Sequence, residues 1–553
     1  MSKMKKVMSA ILTVIIISGF SFLVRPFYAQ ELPRTKAEQS NFTATSRYAD
    51  VMEFVTDLQR RSSRLRLETL CVSTEGRAVP LLVIGDPPPA APASLAYDRR
   101  AVIYIQANIH AGEVEGKEAS LMLARDILLA KEPPYLDRLI LLIAPLFNAD
   151  GNERISPDNR RHQPGPREGV GVRHNGQNLD LNRDGMKLES PEVQGLVRNV
   201  LLRWDPLLLV DCHTTNGSYH QEVVTYSWAL NPNGDGRLVA YQRDHMMPEI
   251  ESILEKKYNT PAVGYGGFRD FRAPEKGWQT MEPQPRYITN YMGLRNRLAI
   301  LDENYVYADF KARVMGNYHF LRAILDYCWA HAEELKKLIA EADRRTILRG
   351  LSPSEKDIFF IDYEVHPLAA PVTVNAYEVE VISAAEGQRP QVRPTDKVRS
   401  WTIPYYSDWI GKKSVRLPFA YLLTVSDPDI LGKLLQHGLL VEKLTAAVTL
   451  EVESFQPKEI KASERLYQGH RLNQIRGDYA VIEKEFAAGT LLVPTAQPLA
   501  NLAAYLLEPE SDDGLVVWNF FDRHLVPQWS REFQPYPVYK VMSPVNLAKE
   551  VVK

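Results

Sequence analysis

A histidine and a glutamate stand three residues apart directly after an apolar run, and this spacing suits a metal site. His110 and Glu113 follow residues 101–107 (AVIYIQA), a predicted buried strand, and lie at the start of a predicted helix over residues 114–129. Together with a distant second histidine, the pair would supply the two-histidine, one-carboxylate set of a catalytic zinc site. Alone it is a weak signal, because the same spacing arises by chance on solvated loops of long chains.

Apolar runs alternate with helical stretches over the first half of the chain, which is typical of a mostly parallel sheet covered by helices on both faces. The predicted strands of this sheet span residues 79–85, 101–107, 139–147, 207–213 and 298–303. In such sheets the ligand crevice lies beyond the carboxyl ends of the strands. Since His110, Asn148, His213 and Glu303 all stand at or just past those ends, we expect them to meet at one edge of the sheet.

The length of 553 residues exceeds what one hydrophobic core usually supports, so two or more domains are expected. A long helical stretch at 314–345 is expected to close a first domain that spans residues 45–345. After a boundary near 346–356, β-type alternation dominates and some helix remains. Residues 356–553 are therefore predicted to form a mixed α/β, β-rich C-terminal domain whose role the sequence does not reveal.

The first thirty residues have the pattern of an export signal. The basic segment MSKMKK is followed by an uncharged apolar run over residues 7–24. Because the run has roughly the 18 residues that a membrane span needs, an uncleaved N-terminal anchor is the alternative. We expect an exported protein (secreted, periplasmic or at the cell surface), with cleavage or anchoring left open.

Charge and cysteine content exclude several functional classes. Lys and Arg number 66 against 68 Asp and Glu, so no basic excess indicates nucleic-acid binding. The three cysteines, Cys71, Cys212 and Cys328, have no metal-binding or redox spacing. An odd, sparse set also argues against a disulfide framework in an exported protein.

Six short segments resemble, in order, those of zinc carboxypeptidases of the carboxypeptidase A/B type. They are STEGR (73–77), HAGE (110–113), FNADG (147–151), NLDLNRD (178–184), VDCHT (210–214) and LAILDENY (298–305). The resemblance covers roughly residues 45–330. It implies the fold of that family, one zinc ion per chain, and a peptide or protein C-terminus as the substrate.

The resemblance implies that His110, Glu113 and His213 bind Zn²⁺ and leave a fourth position for water. Two neutral imidazoles and one carboxylate leave net positive charge on the ion, which lowers the pKa of bound water. A lone histidine such as His213 is more often a satisfied core residue, but its pairing with the His110 and Glu113 motif favours a ligand. Cobalt or manganese would also fit such a donor set.

Glu303 is implied to be the general base that activates the water. Its neighbour Asp302 is the alternative, because successive strand residues point to opposite faces and periodicity alone cannot choose between them. A structural role for Glu303, in a salt bridge with Arg295 or Arg297, is the competing interpretation.

Further roles follow from the NLDLNRD segment. Asp180 matches the position that accepts a hydrogen bond from a ligand histidine, which sets the orientation of the ring. Asn182 and Arg183 match the pair that holds the substrate's C-terminal carboxylate, for which a guanidinium is well suited. Without the surrounding motifs, a polar loop would be the better interpretation of these residues.

Two expected side chains lack a clear position in the sequence. The family has an arginine that stabilises the oxyanion; Arg160 is our choice, and Arg161 and Arg167 are the alternatives. The family also has a tyrosine that covers the substrate carboxylate. Tyr291 is our choice and Tyr287 the alternative, although aromatic packing under a loop would explain either residue.

The leading hypothesis is therefore an exported zinc metallopeptidase that hydrolyses C-terminal peptide bonds. A zinc-dependent N-acyl amino acid deacylase of the aspartoacylase type is the alternative within the hydrolases. A catalytically silent peptide-binding protein on the same fold is the alternative from another class. No nucleic-acid partner is expected, and a membrane contact is expected only through the N-terminal segment.

Overall fold

The computed structural model describes residues 31–552, apart from residues 216–217, 384–390, 527–528 and 530–531. The predicted signal or anchor at residues 1–30 lies outside the described residues. Within the described ranges, no helix is both long enough and apolar enough to cross a membrane. Nearly all of the described chain belongs to one compact unit, Arg34–Lys553.

The helices and strands are numbered here in chain order. The strands are β1 (Leu65–Val72), β2 (Ala78–Ile84), β3 (Ala101–Ala107), β4 (Leu139–Ala144), β5 (Leu208–Thr215), β6 (Val224–Trp228), β7 (Ala262–Gly264), β8 (Gly267–Phe268), β9 (Trp278–Gln279), β10 (Leu298–Tyr305), β11 (Ile358–Pro367), β12 (Val372–Ser383), β13 (Gln391–Ile403), β14 (Tyr405–Arg416), β15 (Ala420–Leu423), β16 (Glu442–Leu444), β17 (Val448–Ala462), β18 (Asn473–Phe486), β19 (Leu491–Pro494), β20 (Val538–Val541) and β21 (Lys549–Val551). The α-helices are α1 (Lys36–Gln39), α2 (Tyr48–Arg61), α3 (Glu115–Leu128), α4 (Ala149–Glu153), α5 (Pro191–Gly195), α6 (Leu202–Trp204), α7 (Gly236–Tyr241), α8 (Met247–Tyr258), α9 (Ile288–Leu294), α10 (Phe310–Ala330), α11 (Ala332–Leu351), α12 (Pro428–Gln436), α13 (Ala500–Leu507) and α14 (Asp522–Leu525).

The first half of the chain forms an eight-stranded sheet in the order β1-β2-β4-β3-β5-β10-β6-β7. Its four central strands, β4, β3, β5 and β10, run parallel to one another. Antiparallel pairs flank them on both sides. Every residue of β3 is buried, as expected for a central strand covered on both faces. The predicted α/β architecture with a mostly parallel sheet is confirmed.

Helix α3 packs close to the sheet and against α10. Gly116 permits this approach, because a Cβ atom at that position would lie 2.5 Å from Cβ of Cys212 on β5. The helix begins one residue after the loop that carries His110 and Glu113. Its close packing against the sheet therefore fixes that loop at the carboxyl end of β3. All three cysteines are buried and unbridged.

The helical stretch predicted over 314–345 consists of two helices, α10 and α11. Helix α10 begins earlier, at Phe310, where the Asp309 side chain accepts a hydrogen bond from Ala312 N as its N-cap. It ends at Ala330, and α11 starts two residues later, after His331. The apolar periodicity continues across this break, so the pattern alone does not reveal it.

The second half is mixed and rich in β-structure, as predicted. Strands β18-β17-β20-β15-β19-β16-β21 form a seven-stranded sheet, and a four-stranded sheet has the order β11-β14-β9-β8. Strands β17 and β18 form a long hairpin, and the loop at its tip, residues 463–472, extends to the polypeptide around Asp180. The predicted boundary at 346–356 falls between the last residues of α11 and the start of β11.

Candidate metal centre and active site

The loop after β3 has a conformation that brings both predicted ligands of its motif to one point. Asn108 adopts a left-handed backbone conformation, with φ of 65°, which turns the chain sharply at the end of the strand. Its side-chain amide donates to the carbonyl oxygens of Ala111 and Glu113, at 3.3 and 3.2 Å. The backbone N–H of Glu113 donates to His110 O at 2.9 Å, which closes the turn.

His110, Glu113 and His213 form a buried group whose ligand atoms lie within 4.8 Å of one another. His213 Nδ1 lies 3.1 Å from His110 Nδ1 and 3.0 Å from Glu113 Oε2. His110 Nδ1 lies 3.1 Å from Glu113 Oε1. A tetrahedral zinc ion with bonds of about 2.0–2.1 Å holds its ligand atoms roughly 3.3 Å apart. The spacing and the N, N, O donor set therefore fit zinc.

Asp180 orients His110 from the side away from this group. Its Oδ1 lies 3.0 Å from His110 Nε2 and accepts a hydrogen bond from Asn182 N, while its Oδ2 accepts from Arg173 Nε at 2.8 Å. Burial opposes ionisation of this carboxyl, but His110 and Arg173 hold its pKa well below the usual range. The carboxylate therefore accepts from His110 Nε2–H and leaves Nδ1 free of a proton to face the ion.

His213 has two polar neighbours at its outer nitrogen. Asp211 Oδ2 lies 3.0 Å from His213 Nε2, and Asn182 Nδ2 lies 3.4 Å from the same atom. Our sequence reasoning did not consider Asp211. Its position two residues before His213 on one strand was a usable signal, because such residues share a face of the sheet.

The register of the sheet selects Glu303 over Asp302. In the parallel pair of β5 and β10, Glu303 lies beside His213, and Asp302 lies beside Cys212. Asp302 is fully buried and accepts a hydrogen bond from Asn317 Nδ2 of α10 at 2.7 Å, on the other face. Glu303 therefore shares the face that carries the metal-ligand group.

The environment of Glu303 suits a residue that exchanges a proton. Burial, reinforced by nearby Glu113 and offset by His213 and Arg160, raises the pKa of Glu303 to about 8. Its Oε2 is buried and has no hydrogen-bond partner among the described residues.

The arginines considered as structural partners of Glu303 bind elsewhere. Arg297 pairs with Asp205 and Asp343, at 2.7 and 3.0 Å. Arg295 donates to the carbonyl oxygen of His437 at 2.9 Å.

Two arginines flank the carboxylate of Glu113. Arg160 donates through Nη1 to Glu113 Oε1 at 2.6 Å and through Nη2 to the carbonyl of Thr214 at 3.2 Å. Nη1 of Arg173 lies 3.6 Å from the same Glu113 oxygen. Arg160 was predicted from the sequence, whereas Arg173 was not. The sequence signal that could have identified Arg173 is its position seven residues before Asp180 in the same polar segment.

The alternatives to Arg160 lie farther out. Arg161 is exposed and pairs with Asp158 at 3.1 Å, and Arg167 is also exposed.

The structure brings Arg183 and Tyr287 together but does not bring Tyr291 to them. The guanidinium of Arg183 lies 4.4 Å from the ring centre of Tyr287. Tyr291 is fully buried, one helical turn further along α9, and its hydroxyl lies 2.8 Å from His437 Nδ1. His437 Nε2 faces the carbonyl of Met186 at 3.0 Å, so Nδ1 is the acceptor for the Tyr291 hydroxyl. Tyr291 is thus held in the core, and the tyrosine beside Arg183 is the alternative, Tyr287.

The hairpin loop of residues 463–472 also reaches this region, which the sequence analysis did not anticipate. Gln468 Oε1 accepts a hydrogen bond from the backbone N–H of Asp180 at 2.8 Å. His470 Nε2 lies 2.9 Å from Glu189 Oε1, and the ring of Tyr467 lies 5.3 Å from the Arg286 guanidinium. No local sequence signal connects Gln468 with Asp180.

Comparison with known proteins agrees with this geometry. Residues 51–192 match the model of the zinc carboxypeptidase family, Peptidase_M14, and this match contains two of the three ligand candidates. Over these residues the chain is similar to the zinc carboxypeptidase family. This similarity supports a zinc metallopeptidase, and the His110, Glu113 and His213 group fits the zinc dependence of that family.

Two curated relatives cover most of the length of the chain at low identity. It is 20% identical over 508 residues to Carboxypeptidase 2 of Trichophyton tonsurans, covering 85% of this chain and 81% of that protein. It is 21% identical over 480 residues to Carboxypeptidase 2 of Trichophyton equinum, covering 80% and 77%.

Similar solved structures share about half of the chain. Carboxypeptidase A from Helicoverpa armigera has a TM-score of 0.39 at 15% identity, over 53% of this chain and 75% of that one. A metallo-carboxypeptidase from Pseudomonas aeruginosa, in complex with (2-guanidinoethylmercapto)succinic acid, has a TM-score of 0.38 at 17% identity, over 52% and 69%.

Proposed function

We propose that the protein is an exported carboxypeptidase that removes residues from the C-termini of peptides and uses one zinc ion per chain. The observation that carries this proposal is the register of β5 and β10, which sets Glu303 beside His213 at the metal-ligand group. A buried carboxylate beside a metal-ligand group can act as the general base in the hydrolysis of an amide bond.

The proposed chemistry divides between the metal ion and the protein's own side chains. A zinc ion held by His110, Glu113 and His213 supplies Lewis acidity toward water and the peptide carbonyl. Glu303 takes a proton from the attacking water as the new C–O bond forms. It then delivers that proton to the leaving amine nitrogen as the C–N bond breaks, so Glu303 ends the cycle in its starting state.

Positively charged side chains would stabilise the anion that forms at the carbonyl oxygen. Arg160 and Arg173 both approach Glu113 Oε1, so their guanidinium groups border the reacting position. Preorganised cations at such a position stabilise developing negative charge with little reorganisation. We assign this role to Arg160, which is the more deeply placed of the two, with Arg173 beside it.

Arg183, Asn182 and Tyr287 form the proposed site for the substrate's terminal carboxylate. A guanidinium can pair with a carboxylate through two parallel hydrogen bonds. Asn182 connects this site to the metal group, since its Nδ2 lies 3.4 Å from His213 Nε2 and its Oδ1 accepts from Ile288 N at 2.9 Å. A free C-terminus bound there would place the last peptide bond close to Glu303.

Export is proposed from the N-terminal sequence. Residues 1–30 combine a basic start with an apolar run, and signal peptides have this pattern. N-terminal sequencing of the protein recovered from its native compartment would test this proposal. A mature chain that begins near residue 30 would support cleavage, and an intact Met1 in the membrane fraction would support the anchor.

The main experiment measures release of C-terminal amino acids from a peptide library, with wild type and Glu303→Gln compared with and without a zinc chelator. Each peptide is also supplied with an amidated C-terminus. Glu451→Gln is the matched control, since it makes the same change at an exposed position on β17. Metal content of the purified protein is measured in parallel.

We expect release from free C-termini only, with loss on chelation and loss in Glu303→Gln but not in Glu451→Gln. Cleavage of amidated peptides at internal bonds would contradict the carboxypeptidase proposal. Hydrolysis of N-acyl amino acids without release from peptides would support the deacylase. Zinc binding without either activity would support a silent binding protein.

A further inference from the structure

A cavity of about 550 Å³ opens directly beside the metal-ligand group. The charged and aromatic residues that line it are Arg160, Arg161, His162, Arg173 and Tyr307. No carboxylate is among the described residues that line this cavity. It is therefore a basic cavity at the edge of the proposed active site.

The cavity adjoins the reacting centre. Arg160 and Arg173, which form one side of it, both approach the Glu113 carboxylate. Tyr307 lies four residues after Glu303 along the same stretch of chain, and its ring stacks on Tyr219 with 4.7 Å between ring centres. A substrate side chain bound in the cavity would thus belong to a residue close, along the peptide, to the bond that the proposed mechanism cleaves.

The proposed function determines which part of a substrate can enter. A peptide whose terminal carboxylate binds Arg183 has only its last residue between that carboxylate and the scissile bond. Neither Arg183 nor Tyr287 lines the cavity. The residues on the acyl side of the scissile bond are therefore the ones that can occupy it.

The charges around the cavity favour an anionic group. Arg161 is the outermost guanidinium, with its side chain 73% exposed and with Asp158, itself 71% exposed, as its ion-pair partner. Deeper in, Arg160 and Arg173 contact Glu113 and Asp180. A divalent cation at the metal site would offset the charge of Glu113, so this carboxylate would neutralise the neighbouring Arg160 and Arg173 less fully.

We propose that this cavity binds an acidic side chain, Asp or Glu, on the acyl side of the scissile bond. The inference rests on the proposed carboxypeptidase function and adds a substrate preference to it. Because the outer part of the cavity is open to solvent, the preference should be moderate and should weaken as salt screens the interaction.

The test compares N-acetyl-Ala-Glu-Leu with N-acetyl-Ala-Gln-Leu, which differ in one charge and hardly in shape. For wild type we expect kcat/KM to be about fivefold higher for the glutamate peptide at low salt, as for one exposed ion pair of about 1 kcal/mol. Arg161→Gln should bring the ratio close to one. Arg154→Gln is the matched control, because Arg154 is also exposed but pairs with Glu75 outside the cavity.

Equal kcat/KM values for the two peptides, or a preference that Arg161→Gln leaves unchanged, would overturn the proposal. If wild type hydrolyses neither peptide, the proposed function fails first, and calorimetric binding to Glu303→Gln then decides the inference. Tighter binding of the glutamate peptide that Arg161→Gln abolishes in that background would support the cavity assignment. Equal binding, or no binding, would overturn it.

Discussion

Exchange of Asp180 for asparagine tests whether the carboxylate behind His110 controls metal affinity. The two oxygens of Asp180 serve three donors: His110 Nε2 at 3.0 Å, Asn182 N at 3.0 Å and Arg173 Nε at 2.8 Å. Asparagine has the same shape, but one of its two terminal atoms is an NH₂ group. In either orientation that group would face a donor, His110 or Arg173, and one charge-assisted hydrogen bond is lost.

The size of the effect follows from the lost bond. A hydrogen bond to a charged group contributes about 1.5–3 kcal/mol, and each 1.4 kcal/mol is about tenfold in an equilibrium constant. We therefore expect Asp180→Asn to weaken zinc binding by about 10- to 100-fold, in line with other partners of metal-bound histidines. Competition between the metal-free protein and a chromogenic chelator measures this constant without any need for activity.

The control is Asp158→Asn, which makes the same change at an exposed carboxylate in the loop that follows α4. Circular dichroism and a thermal melt would show that both variants are folded. A zinc affinity for folded Asp180→Asn within twofold of wild type would refute the reasoning. It would mean that His110 keeps its orientation and protonation state without the carboxylate.

Two further predictions concern stability. Gln468→Met removes the acceptor for the Asp180 N–H and should lower the free energy of unfolding by about 1 kcal/mol, measured by urea titration. The control Gln474→Met, at an exposed position of the same hairpin, should change this free energy little. Equal effects of the two substitutions would contradict a specific role for the contact between Gln468 and Asp180. Burial raises the pKa of Glu192 to about 7, and the unfolded value is about 4.3, so the wild type loses stability as pH rises between these values. Glu192→Gln, which can still accept from Asn175, should therefore be more stable than wild type by on the order of 3–4 kcal/mol at pH 8 and hardly different near pH 4. A difference that does not grow with pH would refute this assignment.

The central strands were the most predictable part of the fold. The bounds of β3 match the predicted strand because an unbroken apolar run between a turn and a polar loop leaves little choice of register. The break between α10 and α11 was missed, since apolar residues recur at helical spacing on both sides of His331. The periodicity of apolar residues indicates which face of a helix is buried, but it does not indicate where one helix ends and the next begins.

Within the site, residue types and local spacing were enough to nominate the ligand candidates but not to choose between neighbours. Asp302 and Glu303 differ only in which face of β10 they occupy, and that depends on the pairing with β5. Tyr287 and Tyr291 lie one helical turn apart, and their difference depends on His437, far along the chain. Such choices are made by tertiary contacts, which a single sequence does not display.

The C-terminal region adds contacts to the segment from Asp180 to Ser190, which the buried carboxylate of Asp184 also holds from within. This segment carries the proposed carboxylate site but has no strand partner in the central sheet. Four side chains of the C-terminal region contact it as well: Gln468 at Asp180 N, His437 at Met186 O, Lys433 at Leu188 O and His470 at Glu189. A loop without regular hydrogen bonding can position a guanidinium accurately only if its backbone is fixed from outside. Side chains from residues 356–553 thus fix the backbone of the segment that carries the proposed carboxylate site, and both belong to the same compact unit.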